Sequence, residues 1–210
     1  MFDLADVAAR TWGSDGYGLV WRALVLWQAY VGTRPAETYG LVRVDLDVAE
    51  AEVDVRRQRT PYTPRDATRD ELPLPKNGKT RRIVIPPPAL EAIHALPRPI
   101  DPHAPLFGTR RGRPLSGQVQ HYYWHPIRCA FGNRSLDLYE LRHFCASYML
   151  NDLDLHAEDV AAQLGHTDGG VLVRRLYGHP STELARKRAH EAHRRPIVLP
   201  LRSAKELGEG

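Results

Sequence analysis

Cysteine is scarce in this chain: Cys129 and Cys145 are the only two in 210 residues, and they share no CxxC spacing. Their scarcity excludes a disulfide framework and points to a reducing compartment, the cytoplasm, with both thiols acting as small apolar side chains. Long apolar runs are missing as well. The longest, around residues 24–30, is interrupted by Gln28 and is too short to cross a bilayer, so no membrane association is expected. The opening stretch, MFDLADVAARTWG, lacks the basic segment and apolar core of a secretion signal. No internal repeat or low-complexity block is present. Neither sign of charge dominates: 29 basic against 25 acidic residues give +4 and a pI near 9.2. That mild excess permits a nucleic-acid partner without requiring one. The length suits one domain with a sizeable core, or one with a tail.

What is present is mostly helical. Leu4, Val7 and Ala8 mark a short helix over residues 3–10. In 17–32, Leu19, Val20, Ala23, Leu24, Leu26 and Trp27 recur at helical spacing, and Gly32 ends the run. Pro35 suits the first turn of a helix over 35–42. The period then changes to two, with Ala51, Val53 and Val55 alternating with Glu52, Asp54 and Arg56. After a polar link over 59–69, segments 70–75 and 81–86 flank KNGKT. Its Asn77-Gly78 tip is a strong hairpin signal. Three antiparallel strands are predicted. Pro86-Pro87-Pro88 stops the sheet and starts a helix over 87–96. A Pro-, Gly- and Arg-rich loop fills 97–114, and helices return over about 116–131, 139–151, 156–164, 169–177 and 181–194. The fold class is α+β, mainly α-helical with a small three-stranded antiparallel sheet.

Several polar residues stand at helix junctions. Arg34, between an apolar helix and a proline-started one, is placed to offer its planar guanidinium to a phosphate, and Glu37, three residues on, to hold it there. Taken alone, the pair reads as a surface salt bridge. Arg142 lies in LDLYELRHFCASYML, whose Leu138, Leu141, Cys145 and Met149 form an apolar stripe. Tyr139 projects from the same side, and His143 is adjacent. His166 follows Gly165, a helix-ending glycine, and faces the junction to the next helix. Tyr177 closes the stretch LGHTDGGVLVRRLYGHPS, ahead of the basic run ELARKRAHEAHRR.

The order of these pieces resembles the tyrosine recombinase (phage integrase) family. GTRPAETYGL matches the first arginine box, PKNGKTRRIVIP the β-hairpin lysine, LYELRHFCAS the second arginine box, and LGHTDGGVLVRRLYGHPS the histidine and nucleophile. The resemblance runs from about residue 3 to 194, the family's catalytic domain. It implies that Arg34 and Arg142 grip the non-bridging oxygens of the scissile phosphate, that His166 adds a hydrogen bond, and that Tyr177 attacks phosphorus. A 3′-phosphotyrosyl link forms and a 5′-hydroxyl leaves, protonated by a lysine acid. The loop offers Lys76 and Lys79. The family spacing matches Lys76 better, and a mobile tip keeps Lys79 open. The covalent link conserves bond energy and the arginines neutralise charge, so neither ATP nor a metal cofactor is implied.

The chain departs from the family at Tyr139, where histidine is usual. A phenol still donates a hydrogen bond but does not carry positive charge near neutral pH. Either Tyr139 is a tolerated variant or the site is silent. Lys79, Arg174 and Arg175 are DNA-backbone candidates, although a solvated helix face accounts for the two arginines equally well. His179, His190 and His193 lack further ligands in register, so no metal is expected. The tryptophans, Trp12, Trp21, Trp27 and Trp124, suit a core or an interface. The resemblance implies a catalytic domain over 1–196 and a tail over 197–210, whose IVLPL is a candidate contact between protomers. It also implies that the family's N-terminal core-binding domain is absent. The implied partner is double-stranded DNA at attachment sites, held by a homotetramer and attended by a directionality factor. The implied activity is site-specific integration or excision of a mobile element. Topoisomerase-like relaxation and a silent DNA-binding fragment are the alternatives.

Overall fold

The centre of the fold is a helix with almost no polar face. Helix α2 (Tyr17–Tyr30) buries Trp21, Leu24, Leu26 and Trp27 completely, and α1 (Phe2–Thr11), α4 (Pro87–His94) and α6 (Leu138–Ser147) pack around it. A helix that is apolar all round is a core helix, and α2 carries no charge but Arg22, which pairs with Asp6. Of the tryptophans, Trp21, Trp27 and Trp124 are buried. Trp12 is half-buried and donates to the Tyr123 carbonyl. The computed structural model describes residues 1–13, 16–64, 66–97 and 101–178, with isolated positions 186, 190 and 194. Apart from those positions, the expected helix over 181–194 lies outside the described residues, as does the tail over 197–210. No helix among the described residues is long and apolar enough to cross a membrane.

The remaining helices are α3 (Pro35–Gly40), α5 (Gly117–Ala130), α7 (Ala157–Leu164) and α8 (Val171–Tyr177). A π-turn, Tyr148–Asp152, extends α6. A second, smaller core of Cys145, Met149, Val160, Leu164 and Val173 joins α6, α7 and α8, with Tyr177 packed against it.

The sheet has three antiparallel strands, as expected, but not the expected three. They are β1 (Leu46–Asp47), β2 (Glu52–Val55) and β3 (Arg81–Val84), in the order β1-β2-β3. The segment predicted as a strand over 70–75 is a 3₁₀ turn, Arg69–Glu71, followed by irregular chain. Pro73 and Pro75 lack the N–H that a ladder needs. The Asn77-Gly78 turn survives without a hairpin around it: Gly78 N donates to Pro75 O at 2.7 Å, with Gly78 at φ +70°. The period of two holds where it is read. Val53 and Val55 face inward opposite Ile83 and Arg81, while Arg82 faces outward to Asp47 and Glu52.

Candidate active site

The corner between α2 and α3 explains the string Gly32-Thr33-Arg34-Pro35. Gly32 adopts φ +71°, and a Cβ there would lie 2.7 Å from Cys145 Sγ. Thr33 and Thr38 hydroxyls lie 2.6 Å apart, and Trp27 Nε1 and Gln28 Nε2 donate to them. This buried chain of hydrogen bonds sets the direction in which Arg34 leaves the backbone. Pro35 then starts α3 without wasting an N–H, and Glu37 returns its carboxylate to Arg34 N at 2.9 Å, the backward half of a capping box.

Glu37 is 0% exposed and serves two arginines. It accepts from Arg34 Nη1 at 2.9 Å and from Arg81 Nη1 and Nη2 at 3.0 and 2.8 Å. Burial alone would raise its pKa. The hydrogen bonds and charge of Arg81, then those of Arg34, outweigh burial and hold the carboxyl below its ordinary value. The expected Arg34–Glu37 pair is therefore present, but it is buried and shared. Arg81 is a site residue that the sequence reading passed over. Its signal was available: Arg81, Ile83 and Ile85 share the inward face of an alternating strand.

Three cations converge on the end of α7. Arg81 Nε donates to Gln163 O at 3.2 Å, Arg142 Nη2 to Leu164 O at 2.8 Å, and Arg34 Nη2 to Gly165 O at 3.2 Å. A helix C-terminus leaves such carbonyls unpaired and carries partial negative charge, so guanidinium groups gather there. Gly165 closes the helix at φ +73°, and a Cβ would sit 2.7 Å from the Arg81 guanidinium. Gly165→Ala is expected to cost about 1–2 kcal/mol from the left-handed backbone alone, read as a lowered urea midpoint, and to displace Arg81.

Arg142 is the most confined of the three, at 3% exposure. The Asp137 cap and Glu140, which accepts from Asp137 N at 3.0 Å, start α6 and bring Arg142 to Gly32 O at 2.5 Å. Burial, and then the charge of Arg34, pull its pKa down to about 10, so it remains a cation at neutral pH. Arg142 Nη2 also lies 3.1 Å from His166 Nε2. An arginine only donates, which leaves the proton of neutral His166 on Nδ1. That Nδ1 is buried with no partner among the described residues. Burial, then Arg142 and Arg34, hold the His166 pKa below its ordinary 6.5.

Lys76 and Lys79 are both exposed. Between them Asn77 donates Nδ2 to Gly165 O at 3.1 Å, the same carbonyl that Arg34 holds. Asn77, expected only as a turn residue, ties the lysine loop to the arginine cluster.

Tyr177 ends α8, which starts at Gly170 with Asp168 accepting from Gly170 N and Leu172 N. Its hydroxyl contacts His143 Nδ1. His143 is exposed, and the ring of Tyr139, itself 42% exposed, lies edge-on to it at 5.2 Å. Burial raises the Tyr177 pKa and the Arg142 charge opposes that rise. Arg174 pairs with Glu158, and Arg175 is exposed. Among the described residues no three His, Cys, Asp or Glu side chains are grouped to hold a metal ion.

The cluster sets three guanidinium groups against one carboxylate. Among the described residues Arg142 has carbonyls and an imidazole for partners, not a counter-ion. Such a surplus, with an unpartnered N–H beside it, can hold an anion with several acceptor oxygens.

No protein-family model matches the sequence, and no curated protein does. Solved structures do. The XerA recombinase aligns with 94% of this chain at 19% identity and a TM-score of 0.61. The Tn1549 transposon integrase in complex with circular intermediate DNA aligns with 90% at 17% identity and a TM-score of 0.68. The same integrase with transposon right-end DNA gives 90%, 17% and 0.66. The chain spans 65%, 64% and 63% of the length of these three structures. Its fold is that of the tyrosine recombinase catalytic domain.

Proposed function

We propose that this chain cuts and rejoins double-stranded DNA as the catalytic part of a site-specific recombinase, integrating or excising a mobile element. Tyr177 attacks the scissile phosphorus. Arg34 and Arg142 take the non-bridging oxygens, His166 donates through Nδ1, and Lys76 protonates the departing 5′-oxygen. Arg81 acts one step back, sharing Glu37 with Arg34 and bracing the α7 end. Lys79 and Arg175 meet the flanking DNA backbone, and Arg174 does so if it leaves Glu158. On paired DNA sites the protein works as a tetramer.

The observation that carries this reading is the charge imbalance: of three clustered arginines, Arg34 and Arg81 share one buried carboxylate, and Arg142 stays cationic with no ion-pair partner among the described residues. A phosphodiester in its pentavalent state supplies the missing negative charge. The shared fold with recombinases, one of them an integrase bound to DNA, supports the same conclusion.

The test uses a pool of nicked duplexes of random sequence, in which the fragment 5′ to the nick is lost after cleavage and religation is blocked. Incubation with the chain is expected to give a protein–DNA adduct that survives denaturation, with peptide mass mapping placing the nucleotide on Tyr177. An adduct on another tyrosine overturns the nucleophile, and the absence of any adduct overturns the cleavage reading.

A further inference from the structure

Tyr177 needs somewhere to send its proton, and burial makes that proton harder to lose. The groups facing the Tyr177 phenol are Arg142, Tyr139 and Cys145 by charge and His143 by direct contact. Arg142 only donates. Cys145 is fully buried, in a small apolar core. Tyr139 is another phenol, its ring edge-on to His143. Among the described residues His143 alone brings a basic nitrogen to the hydroxyl, and it is exposed, so water can carry the proton onward.

Resting on the cleavage reading above, we propose that His143 Nδ1 is the proton acceptor for Tyr177. Arginine 142 and His143 are consecutive in α6, so one turn of helix presents the phosphate clamp and the base together. Tyr139 stands one turn earlier (i, i+4 to His143), and its ring packs edge-on against the imidazole at 5.2 Å. Tyr139 is then a positioning residue, and the work of a base falls to its neighbour on the same helix.

The step balances as follows. The Tyr177 Oη–P bond forms while the P–O5′ bond breaks. The phenolic proton passes to His143 Nδ1, giving imidazolium, and Lys76 gives its proton to O5′. Rejoining reverses each transfer: the 5′-hydroxyl attacks, Lys76 recovers a proton, and His143 returns one to Tyr177. No oxidant, reductant or co-reactant is needed.

The experiment measures single-turnover adduct formation from pH 5.5 to 9.5 on the same random nicked pool, made with 5′-bridging phosphorothiolates. A thiolate departs without an acid, so the profile isolates the attacking side. Wild type is expected to speed up with pH as the accepting imidazole is freed of its proton and then level off. His143→Gln, which keeps an acceptor atom but takes no proton, is expected to be slower by about 10²- to 10⁴-fold near pH 7, with a rate still climbing at pH 9.5. Added imidazole is expected to restore part of the rate to His143→Ala. Tyr139→Ala, which removes the ring, is expected to lower the rate without moving the profile. If His143→Gln matches wild type in rate and profile while wild type forms its Tyr177 adduct, the proposal is overturned and the cleavage reading stands. If wild type forms no adduct, both are overturned. A readout on the free protein separates base from donor: nitrogen NMR of neutral His143 is expected to show the proton on Nε2. A proton on Nδ1 would make His143 the donor to Tyr177 and overturn the proposal.

Discussion

Replacing Arg142 with alanine is expected to slow DNA cleavage by more than about 10³-fold, since removal of a single neutral oxyanion donor already costs about 10²–10³. Arg142 offers more than a neutral donor. It brings a full charge, desolvated at 3% exposure, where electrostatic attraction is least screened. Its Nη1 and Nη2 each give one N–H to a carbonyl, Gly32 O and Leu164 O, which aims the guanidinium before any DNA arrives. Arg142→Lys is expected to lose nearly as much. An ammonium has three donors, all needed to replace the contacts to Gly32 O, Leu164 O and His166, and none is left for a phosphate. Single-turnover adduct formation on the nicked pool measures both variants, and a cleavage rate within tenfold of wild type for Arg142→Ala would remove Arg142 from the clamp. The fold is expected to suffer far less. Two buried carbonyls lose their donor, at about 1–3 kcal/mol each, but the crowding of Arg142 by Arg34 and Arg81 is relieved. Urea unfolding is therefore expected to show a drop well short of the sum.

How much of this was legible depends on whether the signal is local. The helices follow from spacing within one segment, and α2 is marked by its lack of a polar face. Arg34 with Glu37 is an i, i+3 relation, and Gly165 is a helix-ending glycine, so both stood in the sequence. The strand misread over 70–75 shows a local signal misapplied. Asn77-Gly78 does make a turn, but Pro73 and Pro75 deny it a ladder, and β1 is two residues long, too short for any period. Arg81 was readable from strand alternation. Its partner Glu37 was not, because the pairing crosses 44 residues of chain. The contact between His143 and Tyr177 spans 34 residues and depends on α8 packing against α6 and α7, which no spacing within either helix announces.

Glu37 holds the arginines together, and its removal is expected to have the largest effect on stability. Glu37→Ala is expected to cost about 3–5 kcal/mol, the range for breaking a buried ion pair by deleting one partner. Two cations, Arg34 and Arg81, lose their shared counter-ion at once, Arg34 N loses its acceptor, and Arg142 loses the one negative charge that offsets its neighbours. Glu37→Gln keeps the shape and one acceptor oxygen but not the charge, so it is expected to fall between wild type and alanine. The pH dependence separates charge from shape. The folded carboxyl titrates below its ordinary 4.5, so its contribution is fully present above about pH 4.5 and is lost as pH falls through the lower, folded value. Wild type is accordingly expected to lose stability in that acid window, while Glu37→Gln, with nothing to protonate there, loses less and closes the gap. Urea midpoints at pH 7 and at steps below pH 4.5 measure this. A gap between wild type and Glu37→Gln that stays constant down to the acid limit would mean that Glu37 acts through hydrogen-bond geometry, and that the arginine cluster does not need its charge.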